Sequence, residues 1–497
     1  MSGNSVLATD GYKFSMAQAG SPLRRETFYY SQRRGGPFFL PFDVEEMVRS
    51  LLPVPCTGPG SQSGLFLEQH GYGMGPAFWE AINSGDIEIN ALPKGSWFFD
   101  KEPVFTITGP SALVSWLEPL VLQLNYRIQV ATLALLTPEW VKPVLHTSWT
   151  CDRQREIIEE TLDSVGVAAP RFLLPVPAKD WYWHQVYDRM KELVKIVGDP
   201  SRLFEVGMRG VTCMEQHEMA LVACKEAGIN ATSNVALAET LGMKPVGTMG
   251  HEHVQRYGND EAAFRAMRER RAGPSSFLLD TFDTMKSGLP AAYKLIEEDA
   301  SRNDSIRFDS GDKEEQLRFA VALARRQYIR PRYIMEDGFD AKKTAHIEAV
   351  RRELGVAEED VSYGYGGYIV SPQPIASDTP LNLTRSRVAA VYKLCQTGDR
   401  ATMKFSDAPG GAKQSLPGKP VVYRLKDGPN RGFGFVQQEG EEPYPDTVPA
   451  SEVMLTTEEA RALAARDSKM PFMPSVQTSE LTSDLLQLRN RYRNGGK

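Results

Sequence analysis

Residues 305–312 read SIRFDSGD. Arg307 and Asp309 stand two apart behind the apolar Ile306, and Ser310-Gly311 leads to a second carboxylate, Asp312. In an extended strand, residues i and i+2 project to the same side. The spacing therefore predicts a short strand ending with an arginine and an aspartate on one face, followed by a turn. Alone, the octapeptide also fits a surface salt bridge beside a turn, so its meaning depends on the chain around it.

That chain has a rhythm. From about residue 200 to 395, short β-prone runs alternate with amphipathic stretches: LFEV (203–206), GINA (228–231), KPVGT (244–248), SSFLL (275–279), SIRF (305–308), RYIM (332–335), DVSYG (360–364) and VAAVY (388–392). Between them lie segments such as EQHEMALVACKEAG and EEQLRFAVALARRQ, whose apolar positions recur as a helix packed on a sheet requires. Strand–helix alternation predicts βαβ units and a parallel sheet. About eight units favour an α/β barrel over an open sheet.

Each run is followed within a few residues by groups able to hold a polar ligand: Arg209, Ser233, His251 and His253, Asp280 and Asp283, Asp309 and Asp312, Asp337 and Asp340, Gly366-Gly367, and Lys393. Parallel α/β folds bind ligands at the carboxyl ends of their strands. One polar strand end is only a helix cap; a ring of them favours a binding site, and with it a functional reading of SIRFDSGD.

Bulk properties narrow the classes. The chain has 497 residues, 41% hydrophobic and 24% charged, ordinary for a globular protein. A net charge of -6 argues against a general nucleic-acid partner. Five cysteines, none in a Cys-x-x-Cys pair, suggest neither a disulfide framework nor a thiolate zinc site, and favour a reducing cytoplasm. The N-terminus lacks a basic-then-apolar leader, and the most apolar stretch, 112–136, is interrupted by Glu118, Pro119 and Arg127, so no membrane partner is expected. It reads as a buried helix pair.

Asp280, Asp309 and Asp337 alternate with Arg307 and Lys393. Carboxylates suit Mg²⁺, which usually takes one or two of them together with substrate phosphates. A Gly-Gly pair lets backbone N–H groups approach an anion, although a plain turn uses the same residues. His251 and His253 lack a third zinc ligand nearby; beside a phosphate site, a histidine can act as a nucleophile.

The ordered motifs ATDGYKFSMAQAG (8–20), EPVFTITGP (102–110), MRGVT (208–212), ATSNV (231–235), GTMGHEH (247–253), DTFDT (280–284), IRFDSGD (306–312), MEDGFD (335–340), YGYGG (363–367) and VYKL (391–394) resemble the nicotinate phosphoribosyltransferases, type II phosphoribosyltransferases related to nicotinamide phosphoribosyltransferase. The resemblance implies a parallel α/β barrel of the type II phosphoribosyltransferase kind, with an additional α/β domain formed by N- and C-terminal segments. It implies synthesis of nicotinate mononucleotide from nicotinate and phosphoribosyl pyrophosphate, with Mg²⁺ and with ATP as co-substrate, in NAD salvage.

The resemblance also implies roles. His251, with Gly258 seven residues on, matches the phosphorylated histidine. Arg307 and Asp309 match the strand end that faces base, ribose and pyrophosphate. Asp280 and Asp337 resemble ribose- and metal-side carboxylates, so that Asp280, Asp309 and Asp337 are the expected metal ligands. Gly366 and Gly367 match the 5′-phosphate loop; Arg385, Lys393 and Arg34 are further anion contacts. Arg209 resembles the base-contacting arginine. Tyr12 resembles a tyrosine that stacks on the pyridine ring from a neighbouring subunit, implying a homodimer with shared sites. Nicotinamide-specific relatives carry an aspartate where this chain has Ser233, which favours nicotinate; a one-residue shift would put Thr232 or Asn234 there instead. Val206 stands where relatives often have an aromatic. The alternatives are a nicotinamide phosphoribosyltransferase and a catalytically silent barrel that serves as a binding partner.

The expected divisions are an N-terminal α/β domain (1–145), a connecting segment (146–200) that matches the motifs poorly, the barrel (201–395), and a C-terminal segment (396–497) folding back on the N-terminal domain. The last segment opens with a Gly/Pro-rich loop and closes with the cationic LLQLRNRYRNGGK, read as a frayed helix and solvated tail.

Overall fold

The computed structural model describes residues 4–56, 58–142, 145, 149–169, 181–271, 273–371, 383, 385–405, 413–466 and 472–493. Part of the Gly/Pro-rich loop (406–412) and the C-terminal NGGK lie outside them.

Seven parallel strands form one curled sheet, in the spatial order Lys244–Pro245, Ala231–Thr232, Leu203–Glu205, Val361–Tyr365, Arg332–Met335, Ser305–Phe308, Ser276–Leu278. It is a half-barrel of the expected α/β kind. SIRF forms a strand over Ser305–Phe308, with Arg307 in register with Ile334 of the neighbouring strand. Alternation sorts its side chains. Ile306 and Phe308 are fully buried against the helical layer, whereas Arg307, and Asp309 just beyond the strand, line a cavity on the other face. Each fully buried apolar side chain of this kind contributes about 1.5–3 kcal/mol by leaving water.

The eighth run does not join this sheet. Val391–Thr397 pairs antiparallel with Arg25–Ser31, in a five-stranded sheet completed by Phe105–Pro110, Glu88–Ala91 and Arg400–Ala401. Alternating, half-apolar VYKLCQT suits an antiparallel strand with distinct faces, and its length outruns the two- to five-residue barrel strands. The apolar stretch 112–136 forms three short buried helices, not two: Ser111–Trp116, Glu118–Gln123 and Asn125–Leu136. Pro119 sits in the first turn of the second helix, where its missing N–H costs nothing. Among the described residues, no helix is long and apolar enough to cross a membrane.

The connecting segment contributes the helix Trp181–Val197, whose Tyr182, Val186, Met190 and Leu193 enter the half-barrel core. Its Arg189 Nη1 donates to the carbonyls of Tyr368, Ile369 and Ser371 at 2.8, 3.1 and 3.0 Å, bracing the turn after Gly366-Gly367.

A four-stranded sheet from the last hundred residues meets the N-terminal part through a fully buried Arg424–Glu102 pair at 2.7 Å. The C-terminal LLQLRNRYR is not a solvated tail. It belongs to the helix Val476–Arg493, which reaches the half-barrel: Arg489 Nε donates to Phe282 O at 2.6 Å and Arg493 pairs with Asp283 at 2.6 Å. Apolar Leu485, Leu486 and Tyr492 share that face, so the cations come inward with them.

Candidate functional site

A cavity of about 920 Å³ opens at the carboxyl ends of the half-barrel strands, where the N-terminal sheet covers them. From the strands come Phe204 and Val206, Arg307 and Asp309, Ile334 and Glu336, and Gly364 and Gly366. These alternate along their chains, so the concave face of the sheet is the floor of the site.

Asp309 is the centre of its polar end. Its Oδ1 accepts from Arg307 Nη2 at 2.9 Å, and its Oδ2 lies 3.8 Å from His251 Nε2 and 4.0 Å from Lys404 Nζ. Arg307 is held in turn by Thr248 Oγ1, by Met249 O at 2.9 Å and by Glu336 at 3.3 Å. Burial alone would raise the Asp309 carboxyl, but Arg307, His251 and Lys404 outweigh it and hold it well below the usual range.

His251 begins the helix His251–Tyr257, which ends in the left-handed Gly258 (φ 80°), a position that favours glycine. Its Nε2 is 2.9 Å from Asp280 Oδ1, while Asp280 Oδ2 accepts from Ser310. Burial and then Lys404 lower the imidazole pKa, against Asp280 and Asp309, so the ring is neutral at neutral pH. Because Asp280 is an ionised acceptor, Nε2 carries the proton and Nδ1 keeps a free lone pair. His253 takes no part in the cavity; it is fully buried, with Nε2 2.8 Å from Ala263 O.

Three expected placements need correction. Asp280 is fully buried behind His251 and does not line the cavity, because Ser310 and His251 occupy its oxygens. Asp337 lines the cavity as expected, but it is exposed and Lys413 engages its carboxylate, so it does not join Asp280 and Asp309 as a metal ligand. Among the described residues, the three side chains whose ligand atoms lie within 4.8 Å of one another are His251, Asp280 and Asp309. Arg33, not Arg34, lines the cavity: Arg34 turns outward to the carbonyls of Arg387 and Ser386 at 2.9 and 3.0 Å. Both residues lie beyond the strand Arg25–Ser31, where the chain turns and both backbone N–H groups donate to Val388 O, at 2.9 and 3.2 Å.

The other end of the cavity is aromatic and charged. Tyr12 lines it from the same chain, donating to Glu118 Oε2 at 2.6 Å with Arg209 5.6 Å above its ring. Tyr12 thus reaches the cavity of its own chain, where the resemblance implies a tyrosine from a neighbouring subunit. Arg209 lies between Asp10 (3.5 Å) and Glu118 (3.7 Å). Ser233 is buried, and its hydroxyl donates to Asp10 Oδ1 at 2.7 Å, while Asp10 Oδ2 is buried with no hydrogen-bond donor. Burial raises the Asp10 carboxyl pKa, with Arg209 and Ser233 opposing. Phe204, two residues before Val206 on the same side, supplies an aromatic on the floor; it fits because Gly364 leaves space, a Cβ there coming within 2.7 Å of its ring.

Gly366, Gly367, Arg385 and Lys393 also line the cavity. A Cβ on Gly367 would meet Ser386 Oγ at 2.9 Å, so the backbone approach there depends on glycine. Lys393 Nζ is 3.3 Å from Glu118 Oε1, and burial lowers its pKa to about 7. Lys404 and Lys413 were not foreseen. They follow the last strand motif, in a segment whose pattern suggests only a loop, and they reach the site because Val391–Thr397 and Arg400–Ala401 return the chain across it.

Lys393 gives a pH signature. It is cationic below about pH 7 and loses its charge above. For an anionic ligand, the apparent KM is expected to rise as pH passes upward through 7, by about tenfold for one lost charge-assisted contact. Initial-rate measurements across that range, with Lys393→Met flattening the profile, check it.

A curled parallel sheet with buried cations and a carboxylate–histidine cluster at its strand ends defines an α/β half-barrel protein with a polar cavity at those ends. Residues 201–427 match the nicotinate phosphoribosyltransferase (NAPRTase) family. The nicotinate phosphoribosyltransferase of Bacillus subtilis is 28% identical over 241 residues, 46% of this chain and 44% of that one, so the matched region spans less than half of that relative. The human nicotinate phosphoribosyltransferase is 22% identical over 508 residues, covering 88% and 80% of the two chains. Solved structures of a nicotinate phosphoribosyltransferase from Porphyromonas gingivalis and a putative one from Saccharomyces cerevisiae share the fold, with TM-scores of 0.55 and 0.57 at 19% and 17% identity; each comparison covers 82% of this chain, and 95% and 96% of the other. The chain is related to the nicotinate phosphoribosyltransferases.

Proposed function

We propose that the chain is a nicotinate phosphoribosyltransferase that joins nicotinate to phosphoribosyl pyrophosphate, releases pyrophosphate, and couples the reaction to ATP through His251. The observation that carries this reading is that one cavity joins the Arg307–Asp309 pair and His251, backed by the buried Asp280, to the Tyr12–Arg209 end.

In this reading Tyr12 and Phe204 provide aromatic surface for the pyridine ring, and Arg209 faces its carboxylate. Gly366 and Gly367 admit the 5′-phosphate to the backbone. When the C1–oxygen bond breaks and the ring nitrogen attacks C1, Arg307 and Lys404 offset charge developing on the departing pyrophosphate. Asp309 holds Arg307 in place and faces the ribose.

Asp309, the carboxylate of this cluster that lines the cavity, would hold Mg²⁺, with substrate oxygens completing the shell; Asp280 is committed to His251 and Ser310. The ion, when bound, withdraws charge from the pyrophosphate. His251 Nδ1 attacks the γ-phosphorus of ATP; the P–N bond forms as the P–O bond to ADP breaks, and Asp280 keeps the proton on Nε2 throughout. The free thiols support a reducing, cytoplasmic setting.

A second reading has its own observation. Asp10 lines the cavity, and its Oδ2 has no hydrogen bond but only Arg209 Nε at 3.5 Å, so its carboxylate offers an acceptor for the NH₂ of nicotinamide. The Ser233 hydroxyl, spent on Asp10, discriminates less than its position suggests.

The test is mononucleotide formation from phosphoribosyl pyrophosphate and Mg²⁺ with either base, each with and without ATP. Preferential formation of nicotinate mononucleotide, faster with ATP, is expected. Preference for nicotinamide assigns base choice to Asp10; no product from either base sinks the enzymatic reading.

A further inference from the structure

The sequence contains the pattern Thr-Cys-x-x-Gln twice, at 150–154 and 212–216. Both copies begin helices, Asp152–Ser164 and Met214–Glu226, with the cysteine at the N-cap. In each, the glutamine side chain reaches back to accept from the backbone N–H and hydroxyl of the threonine: Gln154 from Thr150 at 2.6 and 2.8 Å, Gln216 from Thr212 at 2.7 and 2.7 Å. The two helix starts face each other and are tied by Arg153 N donating to Glu215 at 3.1 Å. Between them Cys151 Sγ and Cys213 Sγ lie 3.5 Å apart.

We propose that Cys151 and Cys213 form a redox-modification site that a hydroperoxide closes to a disulfide, moving the turn that carries Arg209. Two helix N-termini converge on the sulfurs and stabilise negative charge there, so one thiol can donate to the other's thiolate. The hydrogen bond between the two sulfurs favours the thiolate on whichever accepts it; taking Cys213 as the acceptor makes it the attacking sulfur, and the roles exchange if Cys151 accepts. The thiolate attacks the O–O bond, forming a sulfenic acid and releasing an alcohol or, from hydrogen peroxide, water. The Cys151 sulfur then attacks the sulfenic sulfur; the S–S bond forms, the S–O bond breaks, and water leaves with the Cys151 proton. Both residues are buried but retain slight exposure, 5% and 7%.

Closure shortens the sulfur separation from 3.5 Å to about 2.05 Å. Cys213 is four residues beyond Arg209, which is the middle residue of the tight turn Met208–Gly210. The helix starts are clamped by their glutamines, so the displacement passes into that turn and away from the Asp10 and Glu118 contacts of Arg209. The dithiol site itself does not depend on the proposed reaction.

The full chain with Cys56→Ser, which removes the half-buried competing thiol, is treated with hydrogen peroxide and mapped by mass spectrometry. A peptide cross-link between Cys151 and Cys213, with faster hydrogen exchange at Met208–Gly210, is expected. Dithiothreitol reverses both, and Cys151→Ser prevents them. Turnover with nicotinate, where the reduced protein has it, falls by about 10–100-fold on oxidation, the scale of a roughly 1 Å misplacement near a reacting centre. Absence of the cross-link overturns the proposal, as does a cross-link that leaves exchange at the turn unchanged. A reduced protein inactive on both bases would refute the proposed reaction while the cross-link and exchange still decide this site.

Discussion

Asp309→Asn is expected to lower kcat by about 10³-fold while the protein keeps its fold. The substitution preserves shape and removes the one charge that Arg307, His251 and Lys404 all face. Arg307 retains Glu336, Thr248 and the Met249 carbonyl, so no buried guanidinium is left without partners. A large loss of stability, which follows when one partner of a buried pair vanishes, is therefore avoided. What changes is the electrostatic preorganisation around the reacting centre, worth ~10²–10³ in rate per group. Steady-state kinetics with thermal unfolding as the control decide it: unchanged kcat removes SIRFDSGD from the site, and collapse of the melting transition assigns Asp309 to the fold.

His251→Ala is the second large effect. Turnover with ATP is expected to fall by about 10²–10⁴-fold, to the rate seen without ATP, while the ATP-free reaction persists. The neutral ring, with its proton held on Nε2 by Asp280, leaves a single nucleophilic nitrogen. Asp280→Asn tests that geometry separately. An amide can donate to the ring as well as accept from it, so the tautomer is no longer enforced; ATP stimulation should shrink with the ATP-free rate preserved. Radiolabel from γ-labelled ATP should appear on wild type and be missing from His251→Ala. Equal labelling of both, or equal loss of the ATP-free rate, removes His251 from the nucleophile's role.

The strand RYIM, the strand SIRF and the polar groups beyond them were legible because period-two alternation in a sheet is a local property: Arg307 and Asp309 share a face wherever that strand lies. The identity of the centre was legible for the same reason, each group standing immediately beyond a strand. Partnerships were not. Whether Asp280 faces solvent or supports His251, whether Asp337 joins a metal cluster or pairs with Lys413, and which of Arg33 and Arg34 enters the cavity depend on side chains far apart in the chain. The same holds for VAAVY, whose β-propensity suits either sheet.

The sequence by itself determined the parallel α/β architecture and most of the chemical groups of the site, since periodicity and strand-end residues act over a few positions. The tertiary structure alone decided that Asp10 takes the Ser233 hydroxyl, that Tyr12 lies in its own chain's cavity, that Lys404 returns to Asp309, and that two cysteines 62 residues apart touch. These contacts join segments between which no local pattern carries information, and burial of their charges ties each group's chemistry to the partners that folding supplies.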